Sequence, residues 1–227
     1  MAGGMRVRRE GALIRATLDR PPVNALDCAT YRRLGEICAA ARPEECLLVD
    51  AAGRAFCAGQ DLDEHERATA AGRLGESLTE GAGALAAVLR CPAPVVVAVQ
   101  GPAIGAGALL AAAADIAVFA EDAWLRVPEL DVGVTVGYAV LSRLLPPPLA
   151  RRALLTSERV AAPVLDRLGA AVVVPPADLA EVSTRLATGL LGKPSGMVAL
   201  ARRSWGGGER ELAARAYEAE VRDFLTR

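Results

Sequence analysis

The sequence has one histidine, His65, and one lysine, Lys193, in 227 residues. A single imidazole leaves no histidine metal cluster, and no Gly-x-Ser-x-Gly elbow accompanies it. His65 therefore reads as part of a solvated helix face with Glu64, Glu66 and Arg67 or, since this segment follows a candidate site loop, as part of that site's lining. A single lysine also removes Tyr-x3-Lys chemistry: the residues four after Tyr31, Tyr138 and Tyr217 are Gly35, Ser142 and Val221. The glycine pattern Gly101-x3-Gly105-x-Gly107 is thus not that of a nicotinamide-dependent dehydrogenase. Cysteines are scattered, odd in number (five) and without a C-x-x-C pair, so neither a disulfide framework nor a zinc site is implied. Neither sign of charge dominates, with 26 Lys+Arg against 27 Asp+Glu, which argues against nucleic acid or a membrane surface as partner. The opening MAGGMRVRRE lacks the apolar core of a signal peptide, and the cytoplasm is the expected location. The longest apolar stretch, Pro102 to Ala120, is mostly Ala and Gly and carries Asp115. Two short elements buried in a core explain it better than a membrane span.

What is present is core material. Apolar residues make up 52%, enough for one large domain or a domain with an appended lobe. Residues Met5 to Asp19 read as one or two strands turning at Glu10-Gly11, and Asp27 caps a helix from about Cys28 to Ala41 with Tyr31, Leu34, Ile37 and Cys38 on one face. Leu47 to Asp50 is a short buried strand. Asp63 to Leu89 reads as helix interrupted at Gly72, Gly75, Gly81 and Gly83. Val95 to Val99, almost wholly β-branched after Pro92 and Pro94, is a buried strand. Gly105-Ala106-Gly107 then opens a helix to about Ala114, and Ile116 to Ala120 is a further strand. Gly137 to Leu145 reads as helix ended by Pro146-Pro147-Pro148. Short helices follow at Leu149 to Leu155 and Pro163 to Leu168, then a strand at Ala171 to Val174. The remainder is amphipathic helix with Leu212, Ala216, Ala219 and Phe224 near one stripe. The break at Gly206-Gly207-Gly208 lets the last helix fold back.

Chemistry concentrates at three places. The strand, glycine turn and helix start around Gly101 to Gly107 bring backbone N–H groups and a helix dipole to one point, where an oxygen acquiring negative charge is stabilised. Ala52 to Leu62 is a glycine-punctuated loop straight after a strand. Either its amides face a site or it is an ordinary turn capped by Asp61. Glu129 follows Pro128 among apolar neighbours. It is either a desolvated carboxylate with a raised pKa, suited to general-base work, or a helix-start carboxylate facing water.

Taken in order, Arg20-Pro21-Pro22-Val23-Asn24-Ala25-Leu26, Phe56-Cys57-Ala58-Gly59-Gln60-Asp61-Leu62, Val99-Gln100-Gly101-Pro102-Ala103-Ile104-Gly105-Ala106-Gly107, Ala114-Asp115-Ile116, Pro128-Glu129 with Gly133, and Leu154-Leu155-Thr156 through Gly169-Ala170-Ala171-Val172-Val173 resemble the motifs of the crotonase (enoyl-CoA hydratase/isomerase) superfamily over nearly the whole chain. The resemblance implies an α/β fold, a spiral of ββα units over residues 1–145 carrying an acyl-CoA site. A helical C-terminal region, 146–227, would build a homotrimer or a dimer of trimers. It also implies a thioester oxygen held by the backbone N–H groups of Gln60 and Ala106, each donor worth about 3 kcal/mol in the transition state. Ala58, Gln60, Asp61, Leu62 and Gly105 would lie against CoA, with no cofactor beyond the CoA of the substrate and no metal.

The departures narrow the reaction. Hydratases of the family use a second glutamate early in the helix after the second oxyanion loop, and that position is Leu109 here. Adding water needs both groups; moving a double bond needs one base, and Glu129 suffices. The pattern is similar to Δ3,Δ2-enoyl-CoA isomerases, which is the leading expectation. The alternatives are a hydratase drawing its second acid from Asp131, Glu64 or Asp63, and a non-catalytic accessory subunit. Val136 replaces a usual proline and Ala106 a usual glycine. The chain ends at Arg227, before the terminal helix of many members, so a different CoA lid or trimer contact is expected.

Overall fold

The computed structural model describes residues 4–194 and 196–227. Its main sheet has six strands in the order β1-β2-β3-β4-β6-β9. β1 (Met5–Glu10) and β2 (Leu13–Leu18) form an antiparallel hairpin, and α1 (Cys28–Ala40) leads to β3 (Cys46–Ala51), parallel to β2. α2 (Leu62–Ala70) and α3 (Leu74–Arg90) follow, then β4 (Val95–Val99), β5 (Ala103–Ile104), α4 (Ala106–Ala113), β6 (Ile116–Ala120) and β7 (Trp124–Arg126). A 3-10 turn at Glu129–Val132 precedes α5 (Tyr138–Leu144), α6 (Pro147–Thr156), β8 (Val160–Ala161), α7 (Ala162–Arg167) and β9 (Val172–Val174). The chain closes with α8 (Leu179–Leu191), α9 (Met197–Ala201) and α10 (Gly207–Leu225).

Strand, short strand, helix is the repeating unit. β4 gives β5 and α4; β6 gives β7 and α5; β3 gives a single-residue bridge at Cys57 before α2 and α3. The second layer therefore runs through paired backbone at Leu26–Gln60, Cys57–Ala103 and Ile104–Arg126, with β8 antiparallel to β7 at its edge. β4 is buried along all five residues because it pairs with β3 and β6 and α8 packs on those same strands. Such a strand reads as one apolar run without alternation. The small residues of α4 (AGALLAAA) let that helix lie almost wholly inside the core.

Several boundaries differ from the sequence reading. The segment after Asp63 breaks only once, between α2 and α3; Gly75, Gly81 and Gly83 lie inside α3, whose packing on α1 and α10 offsets their poor helix propensity. The proline triplet starts α6 as well as ending α5, since proline is tolerated in a first helical turn. The glycines at 206–208 do not break the chain: a π-helical turn, Arg202–Gly206, runs straight into α10. The buried face of α10 is Ala213, Ala214, Tyr217, Val221 and Phe224, and Leu212 points to solvent. Residues 146–227 contribute β8 and β9 besides their helices.

Asp115 explains why a charge sits within an apolar stretch. It accepts the Val95 N–H at 2.8 Å and ion-pairs Arg202 at 2.9 Å and Arg210 at 3.2 Å, tying the C-terminal helices to the start of β4. No helix of the described residues is long and apolar enough to cross a membrane.

Candidate active site

The two glycine loops meet. Asn24, buried and left-handed at φ 55°, donates from its side-chain amide to the carbonyls of Ala52 (2.8 Å) and Ala55 (2.9 Å). Gln100 donates to Ala51 (3.1 Å) and Ala55 (3.0 Å) from the other side. The Leu26 N–H donates to the Gly59 carbonyl at 2.7 Å, and Leu26 accepts from the Asp61 N–H at 2.9 Å. These bonds fix the backbone from Ala52 to Asp61 against the turn before α4. Gly59 (φ 88°) sits so close to that turn that a Cβ on it would lie 2.9 Å from the Ile104 carbonyl and 3.5 Å from the Ala106 nitrogen. Gly105 (φ 53°) is equally constrained, because a Cβ there would come within 2.9 Å of Glu129 Oε1. Only glycine adopts both conformations without strain.

Gln60 and Ala106 both line a cavity of about 190 Å³ at this junction. Neither of their backbone N–H groups has a hydrogen-bond partner among the described residues. Ala106 is the first residue of α4, where an N–H has no acceptor within its own helix. The two form a pair of fixed donors open to a ligand.

Glu129 enters the same cavity from the 3-10 turn. Its Oε2 is closed off from solvent and has no partner, and burial pushes the carboxyl up from 4.5 to about 7, opposed by its own backbone N–H. A desolvated carboxyl that titrates near neutrality is suited to take and return protons. Glu129 is thus held as a desolvated carboxylate, not as a helix-start carboxylate facing water.

Of the other residues singled out from sequence, Ala58, Leu62 and Gly105 line the cavity, with Leu62 exposed at its mouth. Asp61 does not; its carboxylate accepts the Glu64 N–H at 2.9 Å, capping α2, and pairs with Arg20. Leu109 lines the cavity, is 1% exposed, and packs where a Cβ on Gly137 would touch it at 3.1 Å. Among the lining residues Glu129 is the single carboxylate. Asp131 pairs with Arg126 at 2.9 Å, Glu64 accepts the Cys28 N–H at 2.8 Å, and neither they nor Asp63 reaches the cavity.

The sequence reading missed two polar residues in the wall and left a third open. His65, read as either a solvated face or lining of the site, lines the cavity from α2. Tyr31 and Tyr217 line it from α1 and α10. Tyr31 was legible as a buried position; nothing in the sequence distinguished a phenol facing a cavity from one facing the core. Tyr217 is placed by Glu220, one turn further along α10, which accepts the N–H groups of Gly137 (2.6 Å) and Ala139 (2.8 Å) and so pins α10 over the site. Among the described residues no group of His, Cys, Asp and Glu is arranged to hold a metal.

Residues 8–225 match the family model for enoyl-CoA hydratase/isomerase. A relative from Rhodococcus jostii (strain RHA1), named (7aS)-7a-methyl-1,5-dioxo-2,3,5,6,7,7a-hexahydro-1H-indene-carboxyl-CoA hydrolase, is 32% identical over 195 residues. That alignment covers 84% of this chain and 76% of the relative. A carnitinyl-CoA dehydratase from Escherichia coli (strain SMS-3-5 / SECEC) is 31% identical over 201 residues, with the same two coverages of 84% and 76%. The crystal structure of an enoyl-CoA hydratase/isomerase from Xanthobacter autotrophicus Py2 is similar with a TM-score of 0.89 at 26% identity, covering 100% of this chain and 87% of that one.

Proposed function

This chain belongs to the enoyl-CoA hydratase/isomerase family of crotonase-fold, acyl-CoA-processing enzymes, and we propose that within it the protein is an enoyl-CoA isomerase. The observation that carries this reading is Leu109. The wall where a hydratase of this resemblance would place a second glutamate is a fully buried leucine, and Glu129 is the one carboxylate lining the cavity.

In the proposed reaction a 3-enoyl-CoA binds with its thioester oxygen between the N–H groups of Gln60 and Ala106. Glu129 removes a proton from C2; the electron pair passes into the thioester, and the two N–H groups hold the resulting enolate oxygen. The protonated Glu129 then delivers the proton to C4 as the double bond forms between C2 and C3. Nothing is consumed, so no cofactor is needed beyond the CoA of the substrate. We further propose a cytoplasmic homotrimer or dimer of trimers, with the exposed Met197 and Trp205 on its C-terminal region available for subunit contact.

A second reading is favoured by one residue. His65 lines the cavity, and the relatives above are named a hydrolase and a dehydratase, so water-handling chemistry with His65 as the second group is the competing reading. One pair of assays separates the two. Incubated with 3-hexenoyl-CoA, the protein is expected to form 2-hexenoyl-CoA; incubated with 2-hexenoyl-CoA, it is expected to add no water. A 3-hydroxyacyl product from the second incubation would overturn the isomerase reading.

A further inference from the structure

Two of the three tyrosines of the chain converge on the cavity that holds Glu129. Tyr31 is 3% exposed and Tyr217 is 5% exposed, and neither hydroxyl has a hydrogen-bond partner among the described residues. Their surroundings supply no acceptor on the apolar side: Leu78, Leu109, Val132, Val134 and Val136 make up much of the wall. Burial raises the pKa of both phenols, and the nearby charge of Glu129 adds to it, so both remain protonated donors at neutral pH. Two unpartnered phenols in the wall of one cavity are not what a hydrocarbon chain requires. An alkyl tail filling the cavity would leave both O–H groups without water or an acceptor, which is unfavourable. Glu129 does not resolve this, since its free oxygen must reach the substrate.

We propose that the acyl group of the natural substrate carries an oxygen, as an oxo or hydroxyl group a few carbons beyond the thioester, and that the hydroxyls of Tyr31 and Tyr217 hold it. The tyrosines are specificity determinants here, and Glu129 remains the proton carrier; the inference rests on the reaction proposed above. A site built to hydrogen-bond a substrate oxygen rejects the analogue that lacks it more strongly than an apolar pocket rejects a missing methylene.

The test compares hexanoyl-CoA with 5-oxohexanoyl-CoA. Equilibrium binding is measured by calorimetry and loss of the C2 hydrogens is followed in heavy water, for the wild type, Tyr31→Phe and Tyr217→Phe. The wild type is expected to bind the 5-oxo ester at least about 30-fold tighter. Each phenylalanine variant is expected to reduce that ratio at least about fivefold, the change falling on Kd and KM for the 5-oxo ester and not on its kcat for exchange. Equal binding of the two esters by the wild type, with both exchanged at C2, would overturn the oxygenated substrate and leave the Glu129 chemistry standing. A persistent 30-fold preference in both variants, or an equal loss of both esters, would overturn the assignment to the tyrosines. Absence of exchange with either ester would instead count against Glu129 as base, and the Kd ratio would still decide the present point.

Discussion

Glu129→Gln is expected to lower the rate of C2 proton removal from a 3-enoyl-CoA by about 10³-fold, and to make the protein more stable above pH 7. The first effect follows from losing the one carboxyl that enters the cavity, at a typical magnitude for a positioned general base. The second follows from the same burial that makes Glu129 useful. Raised from 4.5 to about 7, its carboxyl is held neutral in the folded chain at pH values where the unfolded chain has already released the proton. Folding stability contributed by the neutral form is therefore complete below about pH 4.5 and is lost as the pH rises through about 7. Above that, the buried carboxylate costs about 3 kcal/mol. The glutamine variant escapes this cost, so urea unfolding at pH 8 should show a gain approaching that size, and at pH 4.5 almost none. In the wild type, kcat/KM for isomerisation should rise with pH to about 7 and then level, as the carboxylate form fills. A variant that turns over within tenfold of wild type, or gains the same stability at both pH values, would show that Glu129 is neither the base nor a strained carboxyl.

Ala106→Pro is expected to reduce kcat by 10²–10³ while leaving the fold intact. The substitution removes one N–H and sets the proline Cδ where its hydrogen pointed, at the place proposed for the thioester oxygen. Ala106 is the first residue of α4, where proline's fixed φ is compatible with helix and the missing N–H breaks no intrahelical bond. In most positions proline would disrupt structure; here the lost N–H is the proposed oxyanion donor, worth 10²–10³ in rate by comparison with removal of single donors elsewhere. Ala106→Gly, which keeps the N–H, serves as the control and should stay within a few-fold of wild type. Circular dichroism checks the fold of both. If the proline variant keeps its kcat, the enolate oxygen is not held at the start of α4.

Much of this site was legible before any coordinates. Val95 to Val99 could be assigned as a buried strand because β-branched residues without alternation fit a strand covered on both faces. The loops around Gly59 and Gly105 could be singled out because glycine follows a strand in each, and the structure supplies the reason: neither position has room for a Cβ. Glu129 stood out by its proline and apolar neighbours. Its burial, however, is set by Gly105 and by the walls of the cavity, which local sequence does not encode. The same holds for His65 and Tyr217. His65 could be read as solvated because its helix neighbours are charged, and it faces the cavity only because α2 is launched from the Asp61 cap beside Gln60. Tyr217 reaches the site across 88 residues of chain from Glu129, through the hydrogen bonds of Glu220 to the start of α5. A contact made by tertiary placement of a helix leaves no periodic trace beyond a buried stripe. The expected stripe holds at Phe224 but not at Leu212, which is exposed while Ala213 beside it is buried.

The central claim is that one carboxyl carries one proton from C2 to C4. The most direct measurement is the fate of deuterium placed at C2 of 3-hexenoyl-CoA, turned over in ordinary water and read at C4 of the 2-hexenoyl-CoA product during the first turnovers. With Glu129 as the sole carrier and its Oε2 closed off from solvent, part of the deuterium is expected at C4. Hydrogen drawn wholly from water at C4 would contradict one proton being held on Glu129 from C2 to C4, and the direct-carrier account would be wrong.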